Sequence, residues 1–190
     1  MGIRHSIILA SKSPRRLQLL QAAGFAVEVR PSHVDESPLP GETVFEMVHR
    51  LCRMKADACP VDDHPVIAAD TLVALDGKAL GQPVDMSEAK QMLQQLSGRE
   101  HKVFTAVCVR LGQHVLDGVA ETAVRFRDIG EQELDVYLEH NEVLDKAGAY
   151  AIQAGAASFI EAIEGPMDNV IGLPVALTRE LIMKIQGEAE

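Results

Sequence analysis

The 190-residue chain contains no tryptophan, 4% aromatic residues and three cysteines. So few aromatic rings argue against a surface that stacks many nucleic-acid bases. Three cysteines do not make a disulfide framework, so we expect free, mostly buried thiols at Cys52, Cys59 and Cys108. The apolar run near the N-terminus, Ile7–Ala10, is too short for a signal peptide or a membrane span. These absences predict a cytoplasmic protein with no membrane partner.

Basic residues are outnumbered: 18 Lys and Arg stand against 28 Asp and Glu, a formal net charge of −10. A protein that coats nucleic acid needs many cationic contacts to phosphates, so we exclude nucleic acid as a partner. A small anionic substrate remains open, because it needs only a local basic pocket. The composition, with 47% hydrophobic and 24% charged residues, is that of a globular protein. The length suits one domain over residues 1–190, with two lobes and no linker.

Helix and strand patterns alternate along the chain and predict a single α/β or α+β unit. Thr43 and Glu46 have the spacing of a capping box at a helix start. Two Val-rich runs, Lys102–Leu111 and Val115–Phe126, predict a hairpin, so the sheet cannot be wholly parallel. The other predicted strands are Ile7–Ala10, Phe25–Val29, Val66–Ala69 continued by Leu72–Leu75, and Ser158–Ile163. The predicted helices start at Ser13-Pro14 and otherwise cover Thr43–Ala58, Ser87–Leu96, Glu131–His140 and Pro174–Ile185.

The segment SKSPRR, from Ser11 to Arg16, follows a predicted strand and opens a helix. A helix N-terminus offers unpaired N–H groups and the positive end of the dipole. Ser11 and Ser13 add hydroxyl donors, while Arg15 and Arg16 add forked cations that suit phosphate. The segment is therefore either an anion site or a capped surface helix with solvated arginines. No GxxxxGK[ST] string is present, so it is not a Walker-type loop.

Three carboxylates and one lysine are further candidates. Asp70 ends the predicted strand Val66–Ala69, where ligands bind in open α/β sheets, and it either serves a site or forms a turn. Asp35 and Glu36 lie in a polar loop, where carboxylates are usually solvated but can hold a metal. Lys55 follows the apolar stripe of a helix and is either a surface lysine or a site cation.

Two later segments are rich in small residues. DKAGAYAIQAG, Asp145–Gly155, lets a backbone approach a ligand closely, and Gln153 in it offers the donor and the acceptor that base-edge recognition needs. GPMDNVIGLP, Gly165–Pro174, is interpreted as purely structural, shaping the entry to the last helix. The seven histidines form no HExxH or other ligand spacing.

Taken in order, several short strings resemble the Maf family, once called septum-formation inhibitors and now read as nucleoside triphosphate pyrophosphatases. Each string alone is weak, whereas the ordered set is specific and covers nearly the whole chain. The strings are Leu9–Arg16, Val34–Glu36, Arg50–Ala56, Ala68–Thr71, LSG with His101 and Thr105 downstream, Asp145–Gln153 and Asn169–Pro174.

The resemblance implies an α/β fold like that of the inosine triphosphate pyrophosphatases, with a curved mixed sheet, flanking helices and two lobes around a cleft. It implies hydrolysis of dTTP, UTP and modified pyrimidine nucleotides to the monophosphate and pyrophosphate, with Mg²⁺ or Mn²⁺. A homodimer is left open. By the same resemblance, Asp70 accepts a proton and holds the metal with Glu36. Ser11, Arg15, Arg16, Lys55 and Gln82 bind the triphosphate, and Arg15, Thr71 and Gln153 match the positions associated with base choice.

One departure from the family pattern leaves an alternative open. The family usually has Lys before the Pro of a KP dipeptide, and this chain has Gln82 before Pro83. Loss of one charge that neutralises phosphate costs on the order of 10²–10³ in rate. The alternative is therefore a non-catalytic nucleotide-binding regulator of cell division. A phosphatase with Asp70 as nucleophile is a third hypothesis, disfavoured because Leu72 stands where such enzymes have a second Asp.

Overall fold

The structure is a computed structural model, and it describes residues 6–188. Its strands are β1 (Ser6–Leu9), β2 (Ala26–Val29), β3 (Val66–Leu75), β4 (Lys78–Leu80), β5 (Glu100–Leu111), β6 (His114–Phe126) and β7 (Ile160–Glu164). Its α-helices are α1 (Pro14–Ala22), α2 (Val44–Asp57), α3 (Met86–Leu96), α4 (Glu131–His140), α5 (Met167–Ile171) and α6 (Val175–Glu188). Short 3₁₀ turns cover Ala147–Ala149, Ile152–Ala154 and Ala156–Phe159.

The strands form one mixed sheet, as predicted. Within the described residues it has seven strands in the order β2-β1-β3-β5-β6-β7, and β4 pairs with β3. β1 is parallel to β2 and β3, whereas β4 is antiparallel to β3 and β7 is antiparallel to β6. The predicted Val-rich hairpin is present as β5 and β6. This mixed sheet with flanking helices confirms the predicted α/β fold class.

Local capping signals explain where the first two helices begin. Ser13 caps α1 by accepting the N–H of Arg16, and Pro14 takes the first helical position, where its missing N–H costs nothing. Thr43 and Glu46 form the predicted capping box of α2, each side chain accepting from the other residue's N–H. Both helix starts were predictable because every signal lies within four residues.

Helices α3 and α5 are among the elements that differ from the sequence-based prediction. α3 begins at Met86 rather than Ser87, because Asp85 is the cap and accepts the N–H of Glu88 at 2.8 Å. The segment Gly165–Pro174, expected to be only a structural connection, contains the short helix α5. A five-residue helix carries too little periodicity to be recognised from an apolar pattern.

The chain divides into two compact units, each with its own core. Among the described residues, the first comprises 6–70, 105–120 and 172–188, and the second comprises 71–104 and 121–171. In the first, β1, β3 and β5 pack against α1 and α6 through Ile7, Leu9, Leu20, Ile67, Ala69, Val107, Val109, Leu173, Leu181, Ile182 and Ile185. In the second, α3 and α4 contribute Leu93, Leu96, Leu134 and Leu138 to a core that also holds Phe126 and Phe159. Across residues 6–188, every helix is too short or too polar to cross a bilayer.

Candidate active site

Asp70 lies inside a strand rather than at its end. β3 runs unbroken from Val66 to Leu75, and Asp70 is the fifth of its ten residues. The predicted continuation through Leu72–Leu75 is confirmed, whereas the predicted interruption at Asp70 is wrong. Beyond Asp70 the strand is held by the pairing of Val73 to Leu75 with β4 across the Asp76-Gly77 turn, where both turn residues have positive φ angles of 51° and 75°. A buried carboxylate is tolerated within the strand because Lys55 forms an ion pair with it.

The alternation of β3 determines which way Asp70 faces. Ile67 and Ala69 pack into the core that α1 and α6 cover. Residues of opposite parity face the other side of the sheet, so Asp70 shares a side with Ala68. On that side α2 packs, with the Cys52 thiol donating to the carbonyl oxygens of Ala68 at 3.4 Å and Ala106 at 3.3 Å. Lys55 follows Cys52 by three residues on α2 and thus reaches Asp70.

Lys55 joins the two carboxylates that the sequence pointed to. Its Nζ lies 2.5 Å from Oδ1 of Asp70 and 2.9 Å from Oε1 of Glu36. The side chains of Lys55 and Asp70 are 13% and 6% exposed, whereas Glu36 is 54% exposed. Lys55 is therefore not a solvated surface lysine. The first unit brings Glu36, Lys55 and Asp70 together as a cluster of one cation and two anions.

The second oxygen of Asp70 is in a different environment from the first. Oδ2 is buried and has no hydrogen-bond partner among residues 6–188. Burial raises the pKa of Asp70 above its ordinary value, and this effect outweighs the opposing attraction of Lys55 and then of Arg16. A buried carboxylate with a raised pKa and an unpartnered oxygen is suited to accepting a proton or a cation.

Glu36 and its neighbour Asp35 differ in their contacts. Asp35 is exposed and accepts the N–H of Ser37 at 2.9 Å. Hydrogen bonds from the side chain and then the backbone of Ser37 lower the pKa of Asp35. Glu36 instead contacts Lys55 at 2.9 Å. The structure therefore separates the two loop carboxylates, and only Glu36 joins the Asp70 cluster in the contacts described here.

The SKSPRR segment is built as a tight turn into α1. The hydroxyl oxygen of Ser11 accepts the N–H of Ser13 at 3.2 Å and also accepts from Nη1 of Arg16 at 3.2 Å. Ser13 accepts the N–H of Arg16 at 3.4 Å. Arg15 is half-buried in the first helical turn. The predicted phosphate-binding hydroxyls and arginines thus lie together at the start of α1.

Arg16 has a structural function that the sequence did not reveal. Its Nε donates to the carbonyl oxygen of Gly172 at 2.8 Å, and its Nη1 donates to that of Ala69 at 2.7 Å. Burial lowers the pKa of Arg16, an effect partly offset by the nearby charge of Asp70. Because Ala69 directly precedes Asp70, the guanidinium anchors the strand at the candidate site. Its acceptors lie 53 and 156 residues away, beyond the reach of any local sequence pattern.

The remaining predicted site residues belong to the second unit. Thr71 is half-buried in β3, and Gln153 is exposed in the 3₁₀ turn Ile152–Ala154. Gln82 is exposed, and its Nε2 donates to the carbonyl oxygen of Asp145 at 3.2 Å. Lys78, which follows the β3–β4 turn, is exposed. Gln82 therefore contacts the start of the segment that carries Gln153.

The three cysteines are buried and free, as predicted. Burial raises the pKa of the Cys52 thiol well above its ordinary value and that of Cys108 to about 12. Neutral thiols are poor nucleophiles. Cys52 therefore supports the packing between α2 and β3 rather than covalent chemistry.

Comparisons with known proteins agree with this architecture. A solved structure, the Ham1 protein of Staphylococcus aureus, superposes with a TM-score of 0.52 at 14% identity, covering 96% of this chain and 99% of that one. Among curated proteins, the dTTP/UTP pyrophosphatase of Anaeromyxobacter dehalogenans strain 2CP-1 is 47% identical over 182 residues, 94% of this chain and 93% of the relative. The dTTP/UTP pyrophosphatase of Anaeromyxobacter sp. strain Fw109-5 is 49% identical over 183 residues, 94% of this chain and 88% of the relative.

The family described as Maf-like protein matches residues 6–185. That range includes every string on which the resemblance was based, from the segment before α1 to the entry of α6. The family resemblance is confirmed over nearly the whole chain, and the protein belongs to the Maf-like protein family.

Proposed function

We propose that this protein hydrolyses dTTP and UTP between the α- and β-phosphates, releasing the nucleoside monophosphate and pyrophosphate. Its family membership and its relatives named dTTP/UTP pyrophosphatase support this reaction. The observation that carries the proposal is the environment of Asp70. One oxygen of this buried carboxylate is bound by Lys55, and the other has no hydrogen-bond partner among the described residues.

Asp70 serves as the general base in this proposal. Its carboxylate takes a proton from a water molecule directed at the α-phosphorus. The water oxygen forms the new bond to phosphorus, the bond from that phosphorus to the bridging oxygen breaks, and its electron pair leaves with pyrophosphate. The raised pKa of Asp70 makes it a stronger base than an exposed aspartate. The raised pKa of Cys52 leaves this nearby thiol neutral, which disfavours it as a nucleophile.

The cationic groups of the first unit neutralise the triphosphate. A triphosphate carries several negative charges, which the carboxylates alone would repel. Lys55 and Arg15, with the N-terminus of α1 and Ser11, provide fixed positive charge and donors at this site. Arg16 holds the backbone at Ala69 and contributes its charge from a buried position. These groups stabilise the charge that develops on pyrophosphate.

The donor set fits a divalent metal held by few protein ligands. Within residues 6–188, no group of three or more His, Cys, Asp or Glu side chains is arranged to hold a metal. Mg²⁺ commonly binds through one or two carboxylates together with substrate phosphates and water. The unpartnered Oδ2 of Asp70 and the exposed carboxylate of Glu36 fit that role for Mg²⁺ or Mn²⁺. Such a cation, when bound, polarises phosphate oxygens and offsets their charge.

The pyrimidine preference is assigned to Arg15, Thr71 and Gln153. Gln153 has an exposed carboxamide, which supplies one donor group and one acceptor for a base edge. Thr71 directly follows Asp70, the proposed general base, in β3.

A nucleotide panel tests the proposal. Purified protein is incubated with dTTP, UTP, modified pyrimidine triphosphates, dCTP, GTP and 7-methyl-GTP, with Mg²⁺ or Mn²⁺, and pyrophosphate release is measured. We expect the highest kcat/KM with dTTP and UTP, no release of single phosphates, and loss of activity with chelator. Binding of nucleotides without turnover of any of them would instead support the non-catalytic regulator.

A further inference from the structure

Two tyrosines of the second unit hold the segment that carries Gln153. Tyr150 places its hydroxyl 2.8 Å from Nε2 of His101, a buried residue of β5. Tyr137 of α4 accepts the N–H of Ala151 on its hydroxyl at 3.2 Å. Two consecutive residues, 150 and 151, are thus fixed to the core of the unit directly before the turn that presents Gln153.

The rings that make these contacts form a continuous cluster. His101, Phe126 and Tyr150 meet edge to face in all three pairings, with centroids 4.8 Å, 5.5 Å and 4.9 Å apart. Phe159 links this group to Tyr137, at 5.9 Å from Phe126 and 5.0 Å from Tyr137. Edge-to-face contacts favour particular ring orientations. The hydroxyls of both tyrosines therefore have well-defined positions.

The backbone before Tyr150 is held in an unusual conformation. Gly148 has φ 68°, and a Cβ there would lie 3.1 Å from Cγ2 of Val73, so a side chain at this position would be strained and would crowd Val73. Ala149 is fully buried and has φ 60°, a value that residues with a Cβ rarely adopt. The N–H of Gly148 donates to the carbonyl oxygen of Gly81 at 3.0 Å. Such conformations persist where the surroundings determine them, and they are concentrated at functional sites.

Packing alone does not account for the two hydroxyls. Phenylalanine would fill the same space without a polar group to bury, and a buried hydroxyl is unfavourable unless it is hydrogen-bonded. The hydroxyl of Tyr150 forms a hydrogen bond with His101, and the hydroxyl of Tyr137 accepts one from Ala151. The bonds fasten the backbone two to three residues before Gln153, whose own side chain is exposed.

We infer that Tyr137, Tyr150 and His101 are positioning residues for Gln153 and so determine the base preference of the protein. The inference rests on the proposed function, in which Gln153 contacts the nucleotide base. His101 does not titrate in the neutral range, because burial lowers its pKa to about 4. The hydrogen bond between His101 and Tyr150 therefore does not change with pH near neutrality.

The test compares Tyr150→Phe and Tyr137→Phe with the wild-type protein. Equilibrium binding is measured with non-hydrolysable α,β-imido analogues of dTTP, dCTP and GTP, and kcat/KM is measured with the natural triphosphates. Each variant is expected to reduce the preference for thymine over cytosine and guanine by roughly threefold to tenfold, the effect of one net hydrogen bond. His101→Gln, which keeps a hydrogen-bonding group for Tyr150, is expected to retain more of the preference than His101→Leu.

Ser97→Ala is the matched control. Ser97 lies in the same unit and accepts the N–H of Ile129 at 2.8 Å, so its loss also removes one side-chain hydrogen bond. It should lower stability without changing base preference, while Gln153→Ala should lose the preference. The inference is overturned if the tyrosine variants keep the wild-type binding ratios, or weaken all three analogues equally. Absence of pyrophosphate release by the wild-type protein overturns the proposed reaction instead, and the binding ratios still decide the positioning inference.

Discussion

Lys55 donates to Oδ1 of Asp70 across 2.5 Å, while Oδ2 of the same carboxylate has no hydrogen-bond partner in the described part of the chain, residues 6–188. The two oxygens of one side chain are thus in different environments. Oδ1 is held in place by a cation, and Oδ2 is the oxygen that meets a water molecule or a metal ion in the proposed function. Asp70→Asn keeps the shape but removes the negative charge and the basic oxygen.

We therefore expect Asp70→Asn to reduce kcat by at least about 10³-fold, within the range of general-base and electrostatic contributions combined. Pyrophosphate release and circular dichroism would be measured together, and the spectrum should be unchanged. Asp35→Asn is the control, because Asp35 contacts its own turn rather than Lys55. Full activity in Asp70→Asn would show that the base is another residue.

Lys55→Met should destabilise the protein and inactivate it. The substitution leaves the buried Asp70 without the cation that bonds its Oδ1, a change that typically costs about 3–5 kcal/mol. Lys55→Arg keeps the charge and should recover most of the stability but less of the activity, since the guanidinium has a different shape. Denaturant unfolding and kcat measure the two effects. Equal stability of Lys55→Met and wild type would contradict the described pairing.

Arg15→Lys and Arg16→Lys are expected to behave differently. Arg16 bonds two carbonyl oxygens through different nitrogens, and a lysine cannot reproduce that fork. Arg16→Lys should therefore lower the free energy of unfolding by about 1–3 kcal/mol and also lower kcat. Arg15→Lys should raise KM for the triphosphate with little change in stability. A purely kinetic effect of Arg16→Lys would argue against its anchoring of Ala69.

Stability should depend on pH through His101. Its folded-state pKa of about 4 lies below its ordinary value of 6.5, because burial disfavours the charged ring. The unfolded chain binds the extra proton first, so the stabilisation is complete above pH 6.5 and is lost as the pH falls towards 4. The full loss is about 3 kcal/mol. The free energy of unfolding is measured with denaturant for the wild-type protein and for His101→Gln from pH 4 to 7. The difference, wild type minus variant, should fall as the pH falls, and a difference that does not change with pH would contradict this prediction.

Gln82→Lys should raise kcat by up to about a hundredfold, because it restores a cation of the family pattern. Gln82 now donates to the carbonyl oxygen of Asp145, and Gln82→Leu removes that bond without adding charge. Gln82→Leu is therefore the matched variant for the hydrogen bond alone. If Gln82→Lys left kcat unchanged, the site would work without that lysine.

The features that sequence reasoning predicted depend on short-range signals. The caps of α1 and α2 and the Val-rich hairpin each need only a few consecutive residues.

The features that were missed depend on distant partners. Two adjacent arginines at a helix start predict phosphate binding, but the sequence does not reveal that Arg16 also bonds two distant backbone carbonyls. The sequence predicts two runs, Val66–Ala69 and Leu72–Leu75, on either side of Asp70, whereas the structure has one unbroken strand. A charged residue is rarely buried in a strand without a partner. The compensating Lys55 lies 15 residues earlier, and only folding brings it close.

The position of Asp70 in the middle of β3 limits which changes of chain length the protein tolerates. Side chains alternate along a strand, so an insertion or deletion of one residue between Val66 and Asp70 would turn the carboxylate towards the core of α1 and α6. A change of two residues would keep the side but move the carboxylate away from Lys55 along the strand. Surface loops commonly tolerate changes of length. The five residues from Val66 to Asp70 do not, because their number determines where the Asp70 carboxylate lies relative to Lys55.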